Sequence, residues 1–309
     1  MAELDIKELL LKLENPTEAI ELSEQRYKRE ISTVAGRVLS DDVRIVLLSG
    51  PSGSGKTTTA NLLCDEIRLL GKKSAVVSLD DFYKDFESPE YPRRDDGKRD
   101  IESPFALDID ELHEVMGKIV GGEAFSIPKY DFKVGGRVGY RDYGSFQDGC
   151  VILEGIHGLN PIITDTIPSG GVLRLFVSVS TNINSEGVRI ISGKKLRFLR
   201  RLVRDSIYRG QGALRTLELW QEVLFGEEKH LYPYKELADV KLDTFHMFEP
   251  AVMKPYAMRL LSCDEVARDP YAQVVLAALS AIPEIESSAV PEDSLIKEFI
   301  PGGIYESLY

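Results

Sequence analysis

From Arg44 onward, short apolar runs alternate with stretches whose apolar residues recur at helical spacing. The runs are RIVLLS (44–49), SAVVSL from Ser74, CVILEG from Cys150, VLRLFVSV from Val172 and a weaker ADVKLD from Ala238. TTTANLLCDEIRLL from Thr57 reads as a helix ending at Gly71, and KKLRFLRRLVRDSIYRG as another. The alternation predicts a parallel sheet flanked by helices. Ahead of it, residues 1–42 read as an N-terminal helical extension, helical over 6–13 and 16–38 with no glycine before Gly36. Between the second and third runs, residues 83–149 are too many for a plain loop. They contain a helix over 108–120, capped by Asp108 and stopped by Gly121 and Gly122. IPKYDFKVGGRVGYRDYGSF then reads as hairpin strands around Gly135 and Gly136. An insertion of this kind usually forms an acceptor pocket. The main domain is expected to span 43–269. A last helix from Pro270 to about Ala281 and a tail with Pro283, Pro291 and Pro301 complete 270–309, the tail being either docked or frayed.

Composition narrows the class. Over 309 residues, 43% hydrophobic and 28% charged is ordinary for a soluble globular chain. A formal net charge of −12 argues against nucleic acid as the main partner, because backbone binding depends on clustered Lys and Arg. Cys64, Cys150 and Cys263 are few, odd in number and far apart within apolar stretches, which suits reduced core thiols in the cytoplasm. No apolar run approaches the length of a membrane span, and the acidic N-terminus lacks the regions of a signal peptide. Neither secretion nor membrane anchoring is expected.

The chemistry centres on Gly50-Pro51-Ser52-Gly53-Ser54-Gly55-Lys56-Thr57, which fits the P-loop pattern between a strand and a helix. Its glycines let the backbone approach phosphate oxygens, and its amides and the helix dipole attract the anion. Gly50, Ser52, Gly53, Ser54, Gly55, Lys56, Thr57 and Thr58 are the candidate phosphate cradle for ATP. Lys56 is expected to reach the β and γ phosphates, and the Thr57 hydroxyl to sit on Mg²⁺. In an open parallel sheet the ligand crevice lies beyond the carboxyl ends of the strands. There the second strand ends in SLDDFY, so Asp80 or Asp81 faces the phosphates, as base toward an acceptor hydroxyl or as holder of Mg²⁺ through water. Glu154, at the end of the third run, is a second candidate near the metal. His157, in a glycine-containing turn, reads as a structural hydrogen-bonder. Arg197, Arg200, Arg201 and Arg204 crowd one helical face, which suits a phosphate-facing lid better than a solvated face paired with Asp205 and Glu218.

The stretches GPSGSGKTT, SLDDFYKD, ESPFALD, IPKYDF, VILEGIHGL, RLVRDSIYRG and GEEKHLYPYKELADV, in that order from about Arg44 to Leu242, resemble the uridine kinase and phosphoribulokinase family of P-loop kinases. The uridine kinase branch is the nearer likeness, and the stretch around Gly135 and Gly136, the long helical N-terminus and the C-terminal SLIKEFIPGGIYESLY resemble a bacterial uridine kinase-like subgroup of it. The resemblance implies an α/β P-loop NTPase three-layer sandwich with a parallel sheet, an inserted hairpin acceptor region and an arginine-rich helical lid. It further implies Asp80 as catalytic base and Tyr83 lining a nucleoside pocket. Glu102 takes the ribose hydroxyls, and Arg201 and Arg204 contact the acceptor and the transferring phosphate. Uridine kinases commonly carry a histidine a few residues after YDF that reads the pyrimidine edge. This chain has Lys133-Val134-Gly135-Gly136-Arg137 instead.

Together these residues predict an ATP- and Mg²⁺-dependent kinase acting on the 5′-hydroxyl of a nucleoside, uridine or cytidine first. Asp80 is the expected base, with Lys56, Arg201 and Arg204 on the transferring group. Thr57, Glu154 and Asp80 serve the metal, while Tyr83, Glu102, Tyr130, Arg137 and Arg201 form the acceptor site. Two alternatives stand beside it. One is the same machinery acting on another small-molecule hydroxyl, motivated by the missing histidine. The other is a low-turnover regulatory ATP-binding protein, against which the intact Asp80 and arginine set speak. No NKxD guanine motif and no LSGGQ motif are present. The family resemblance leaves a homo-oligomer open.

Overall fold

The computed structural model describes residues 2–167 and 170–308. In chain order its elements are β1 (Glu3–Asp5), α1 (Ile6–Leu13), α2 (Pro16–Ser40), β2 (Ile45–Ser49), α3 (Lys56–Leu69), β3 (Ser74–Ser78), α4 (Ile109–Gly121), β4 (Phe125–Asp131), β5 (Gly136–Tyr143), β6 (Cys150–Glu154), α5 (Pro161–Thr164), β7 (Val172–Ser178), β8 (Asn182–Ser185), β9 (Val188–Ile191), α6 (Gly193–Tyr208), α7 (Ala213–His230), β10 (Val240–Asp243), α8 (Glu249–Leu261) and α9 (Pro270–Ser280). The five apolar runs become one parallel sheet in the order β10-β7-β2-β6-β3.

Period-two alternation divides each central strand between two layers. Val46 and Leu48 of β2, Cys150 and Ile152 of β6, and Leu173, Leu175 and Val177 of β7 face a core shared with α1, α2, α3, α6, α8 and α9. Ile45, Leu47, Val151, Leu153 and Phe176 face the opposite core, completed by Leu112, Val115, Met116 and Ile119 of α4 and by Phe125 and Ile127 of β4. The result is a three-layer α/β sandwich, its parallel sheet flanked by helices as the apolar pattern predicts.

Local signals place the elements. Asp108 caps α4, its side chain accepting from the Glu111 amide, and Gly122 closes the helix at φ 72°. Asn15 caps α2 with Pro16 next to it, so this helix starts at residue 16 as expected. These helices are part of the main core. Leu9, Leu13, Tyr27, Ile31, Val34 and Val38 are buried, and the Tyr27 hydroxyl lies 2.6 Å from Thr59 Oγ1 on α3.

The C-terminal tail is docked. Leu295, Ile296, Phe299 and Ile300 are fully buried against the same core. The hairpin β4–β5 forms as expected, with a register shift between Lys129 and Tyr130. A second small sheet, in which β1 pairs with β8 and β8 with β9, has no counterpart in the sequence reading. One expectation changes for the cysteines: Cys64 and Cys150 are buried, while Cys263 is exposed beyond α8 rather than filling the core. Among the described residues, no helix is long and apolar enough to cross a membrane.

Candidate active site

The P-loop joins the end of β2 to the start of α3, at the carboxyl edge of the sheet. Gly55 caps α3 at φ 87°, a left-handed conformation that favours glycine. The first-turn amides of α3 have no partner within the helix, the arrangement in which a helix terminus attracts an anion.

The loop is held from outside by the arginine helix α6. The Arg197 guanidinium donates to the Ser52 carbonyl (2.8 Å) and to both Glu227 carboxylate oxygens (2.7 and 2.9 Å). Glu227 in turn accepts from the Ser52 amide at 2.9 Å. Arg200 donates to the carbonyls of Gly53 (3.3 Å) and Thr244 (2.7 Å) and to Glu249 (2.7 Å). The Thr244 hydroxyl donates to the Ser54 carbonyl at 2.8 Å. Both ion pairs are buried, at 2%/2% and 0%/0% side-chain exposure, so neither guanidinium is on a phosphate-facing surface.

The helical face expected to meet phosphates is therefore divided, and two of its four arginines brace the P-loop backbone. Arg201 donates to the Ser52 hydroxyl (3.0 Å) and pairs with Asp205. Arg204 pairs with Glu298 at 2.9 Å. Asp205 is thus a partner of this helix, whereas Glu218 pairs with Arg215.

The sheet register assembles the acidic side. Leu48 pairs with Glu154 across β2 and β6, and Glu154 pairs with Ser78 across β6 and β3. The Ser78 hydroxyl donates to Glu154 at 2.9 Å. A single 3-10 turn, Leu79–Phe82, then presents the two aspartates differently. Asp81 accepts from the Tyr130 amide (3.3 Å) and lies 3.8 Å from Arg141, so it ties the turn to the hairpin. Among the described residues, no hydrogen-bond donor is in place on the Asp80 carboxylate, which lies in the field of Lys56.

Burial pushes the Asp80 carboxyl upward and Lys56 pulls it back. Burial, reinforced by the charge of Asp80, pushes Glu154 up to about 7. Two carboxylates, the charge of Asp80 raising the proton affinity of Glu154, beside a helix terminus and a threonine hydroxyl, are an oxygen-only donor set. That set fits Mg²⁺, which takes one or two carboxylates and completes its shell with water and substrate phosphates. Among the described residues, no cluster of three or more His, Cys, Asp or Glu that could hold a metal is present.

An aromatic group lies near Asp80, whose charge acts on Tyr83. Tyr83 and Tyr130 have ring centroids 5.7 Å apart, and Phe132 lies 6.0 Å from Tyr83 and 5.0 Å from Tyr130. The Tyr83 hydroxyl donates to the Ile101 carbonyl (3.3 Å), which seats the ring beside Glu102. Burial pushes Glu102 up to about 7 against the opposing charge of Arg201, and it feels both Asp80 and Lys56. Gly226 of α7 makes room for it, since a Cβ there would lie 2.6 Å from Glu102 Cγ.

Lys56, Asp80, Glu154, Glu102 and Arg201 thus form one group coupled by charge, which Tyr83 and Tyr130 adjoin. Arg137 does not share in it as expected. Its guanidinium pairs with Glu111 (2.8 Å) and Asp108 (3.2 Å) and donates to the Tyr83 carbonyl (3.3 Å), which holds the hairpin against the start of α4. His157 is buried, its ring T-shaped against His230, and burial pulls it down to about 3, so it is neutral.

Four residues of the site escaped sequence reasoning: Phe132, Glu227, Arg209 and Glu298. Arg209 pairs with Asp205 and its charge reaches Asp80. Phe132, Glu227 and Arg209 lie inside motif stretches, so their place was signalled without their role. Glu298 lies in the C-terminal stretch SLIKEFIPGGIYESLY that resembles the bacterial subgroup, which carried no role for it.

The family profile described as "Phosphoribulokinase / Uridine kinase family" matches residues 45–247. A uridine kinase of Schizosaccharomyces pombe (strain 972) is 30% identical over 180 residues, covering 58% of this chain and 36% of that protein. A uridine kinase of Staphylococcus aureus (strain JH9) is 28% identical over 197 residues, covering 63% of this chain and 85% of that one. The chain therefore spans about a third of the first relative's length and most of the second's. A structure solved as a possible uridine kinase from Bacillus stearothermophilus aligns over 71% of this chain and 100% of its own, at 17% identity and a TM-score of 0.47. The profile match runs from the first residue of β2 past the end of β10 and contains the P-loop, the Asp80 turn, the hairpin and the arginine helix. The chain belongs to the phosphoribulokinase and uridine kinase family.

Proposed function

We propose that the protein transfers the γ-phosphoryl group of ATP to the 5′-hydroxyl of a nucleoside, with uridine and cytidine the first acceptors to test. The observation that carries this reading is the Asp80 carboxylate, without a hydrogen-bond donor of its own, between the P-loop lysine and a crevice lined by Glu102, Tyr83 and Tyr130. The uridine kinases among the chain's relatives support the same reading.

In this account the P-loop amides and Lys56 hold the donor phosphates, and Glu102 takes the acceptor's ribose hydroxyls. Tyr83 and Tyr130 flank the acceptor, which places its 5′-hydroxyl against Asp80. The acceptor oxygen forms the new bond to phosphorus, the bridging bond to the leaving diphosphate breaks, and Asp80 receives the hydroxyl proton. Arg201, already at the P-loop through Ser52, lies beside the transferring group. Thr57, Asp80 and Glu154 would hold Mg²⁺, which when bound neutralises charge on the phosphates. Movement of the α6 region over the phosphates would exclude water.

A second reading keeps the chemistry and changes the acceptor. It is favoured by the position of Arg137, which is tied to Asp108 and Glu111, in a stretch that lacks the family's histidine. The test is a screen of the purified protein with Mg²⁺ and ATP against nucleosides, sugar phosphates and small alcohols, with the phosphorylated product identified by mass. Product from uridine or cytidine above all others supports the first reading. Product from another hydroxyl alone replaces it with the second, and ATP binding without product from any acceptor favours a regulatory role.

A further inference from the structure

The C-terminal segment, more than two hundred positions from the P-loop in sequence, reaches it in the fold. After α9 the chain crosses the open end of α3. The Leu295 side chain lies so close to Gly55 that a Cβ on the glycine would meet it at 2.8 Å. One turn later Glu298, 3% exposed, accepts from the Thr58 hydroxyl (2.9 Å) and the Thr58 amide (3.3 Å) through one oxygen. Its other oxygen accepts from Arg204 at 2.9 Å. The ring of Phe299 lies beneath both arginines, 5.2 Å from the Arg200 guanidinium and 5.7 Å from that of Arg204.

A carboxylate on a first-turn amide, a first-turn hydroxyl and a guanidinium has the contact set of a phosphate group. The aromatic ring stacked on cations next to it has the contact set of a base. Four neighbouring side chains, Leu295, Ile296, Phe299 and Ile300, are fully buried, so the segment is held there by packing as well as by charge.

We propose that residues 295–300 are an intramolecular ligand of the P-loop, with Glu298 standing in for a phosphate of the donor nucleotide, so that ATP must displace the Glu298 contact to bind. The proposal rests on the reading of the P-loop as an ATP site and adds a competitor to it. The two anions cannot share Thr58 and Arg204. A nucleotide phosphate placed there meets a like charge within hydrogen-bond distance unless Glu298 swings away. Apparent ATP affinity is then the intrinsic affinity reduced by the fraction of molecules in which the contact is open.

The test compares the full-length protein with Glu298→Gln, which keeps the shape and removes the charge. Glu292→Gln, an exposed carboxylate of the same segment, serves as the control. Mg²⁺-ATP affinity is measured by calorimetry, and hydrogen exchange of the 295–300 amides is followed with and without ATP. Glu298→Gln should bind ATP about tenfold more tightly or better, the scale of losing one charged hydrogen-bonding anion from the site. The control should match the unmodified protein, in which ATP should speed exchange over 295–300. Equal affinities with unchanged exchange would overturn the proposal and leave the ATP reading intact. Weaker binding by Glu298→Gln would overturn it too, by making Glu298 part of the nucleotide site. Failure of both proteins to bind ATP at millimolar concentration would overturn the ATP reading itself, and the proposal with it.

Discussion

Glu102 is the carboxylate whose ionisation reports most directly on acceptor binding. Burial raises its proton affinity to about 7, well above an ordinary glutamate. A carboxylate accepts two hydroxyl donors, whereas its protonated form donates from one oxygen and is a poorer acceptor. Acceptor KM should therefore be lowest above pH 7 and rise as the pH falls through 7. Glu102→Gln should raise acceptor KM at high pH by about tenfold or more and flatten the profile below 7, read from initial rates at saturating ATP. An acceptor KM that keeps its pH dependence in Glu102→Gln would remove Glu102 from that role. Most site residues at this scale were legible, because the chemistry of a P-loop, of strand-end carboxylates and of aromatic neighbours is written in local patterns. Sequence could not separate Asp80 from Asp81 without the family likeness. What separates them in space is the Tyr130 amide and Arg141, which arrive from a hairpin some fifty positions away.

Between elements, α6 and α7 act as a brace for the P-loop. The Arg197–Glu227 pair is buried and joins both helices to the backbone of Ser52. Removing one partner of a buried pair leaves the other charge uncompensated, at a cost of about 3–5 kcal/mol. Glu227→Ala should therefore lower stability by about that amount and weaken ATP binding, measured by urea unfolding and calorimetry. A loss below about 1 kcal/mol, the scale of a surface pair, would show that the brace is not needed. The arginine periodicity was visible in the sequence, but its partners were not. Glu227 and Glu249 come from helices reached only through the fold, so the spacing alone could not tell a phosphate-facing stripe from a buried brace. The β8–β9 pair went unseen for a related reason. Its strands are four residues each, one of them is Asn-Ile-Asn-Ser, and its third partner is the N-terminal β1. Apolar alternation cannot declare so short a polar strand.

At the scale of the whole molecule, both ends of the chain close on the same helix. α2 meets α3 through Tyr27 and Thr59, and the C-terminal segment meets it through Glu298 and Thr58. The five core strands and the N-terminal helices were readable from apolar spacing. The docking of the tail was not, because Leu295, Ile296, Phe299 and Ile300 form too short a run to show a period and are broken by two charges. Burying each such side chain contributes about 1.5–3 kcal/mol, so four of them rival the 5–15 kcal/mol that holds a typical domain together. Deleting residues 291–309 should leave a protein that is unfolded or aggregated, judged by circular dichroism and size-exclusion chromatography. A truncated protein that folds with an unchanged melting temperature would contradict the structural role of the tail.

The central claim is that Asp80 takes the proton of an acceptor hydroxyl at a P-loop ATP site. The most direct measurement is single-turnover phosphoryl transfer by Asp80→Asn, with the best acceptor from the screen, alongside ATP affinity by calorimetry. The account predicts ATP binding close to that of the unmodified protein and a transfer rate lower by about 10²–10⁴, the range of a lost general base. Transfer at the original rate, with ATP binding intact, would contradict it.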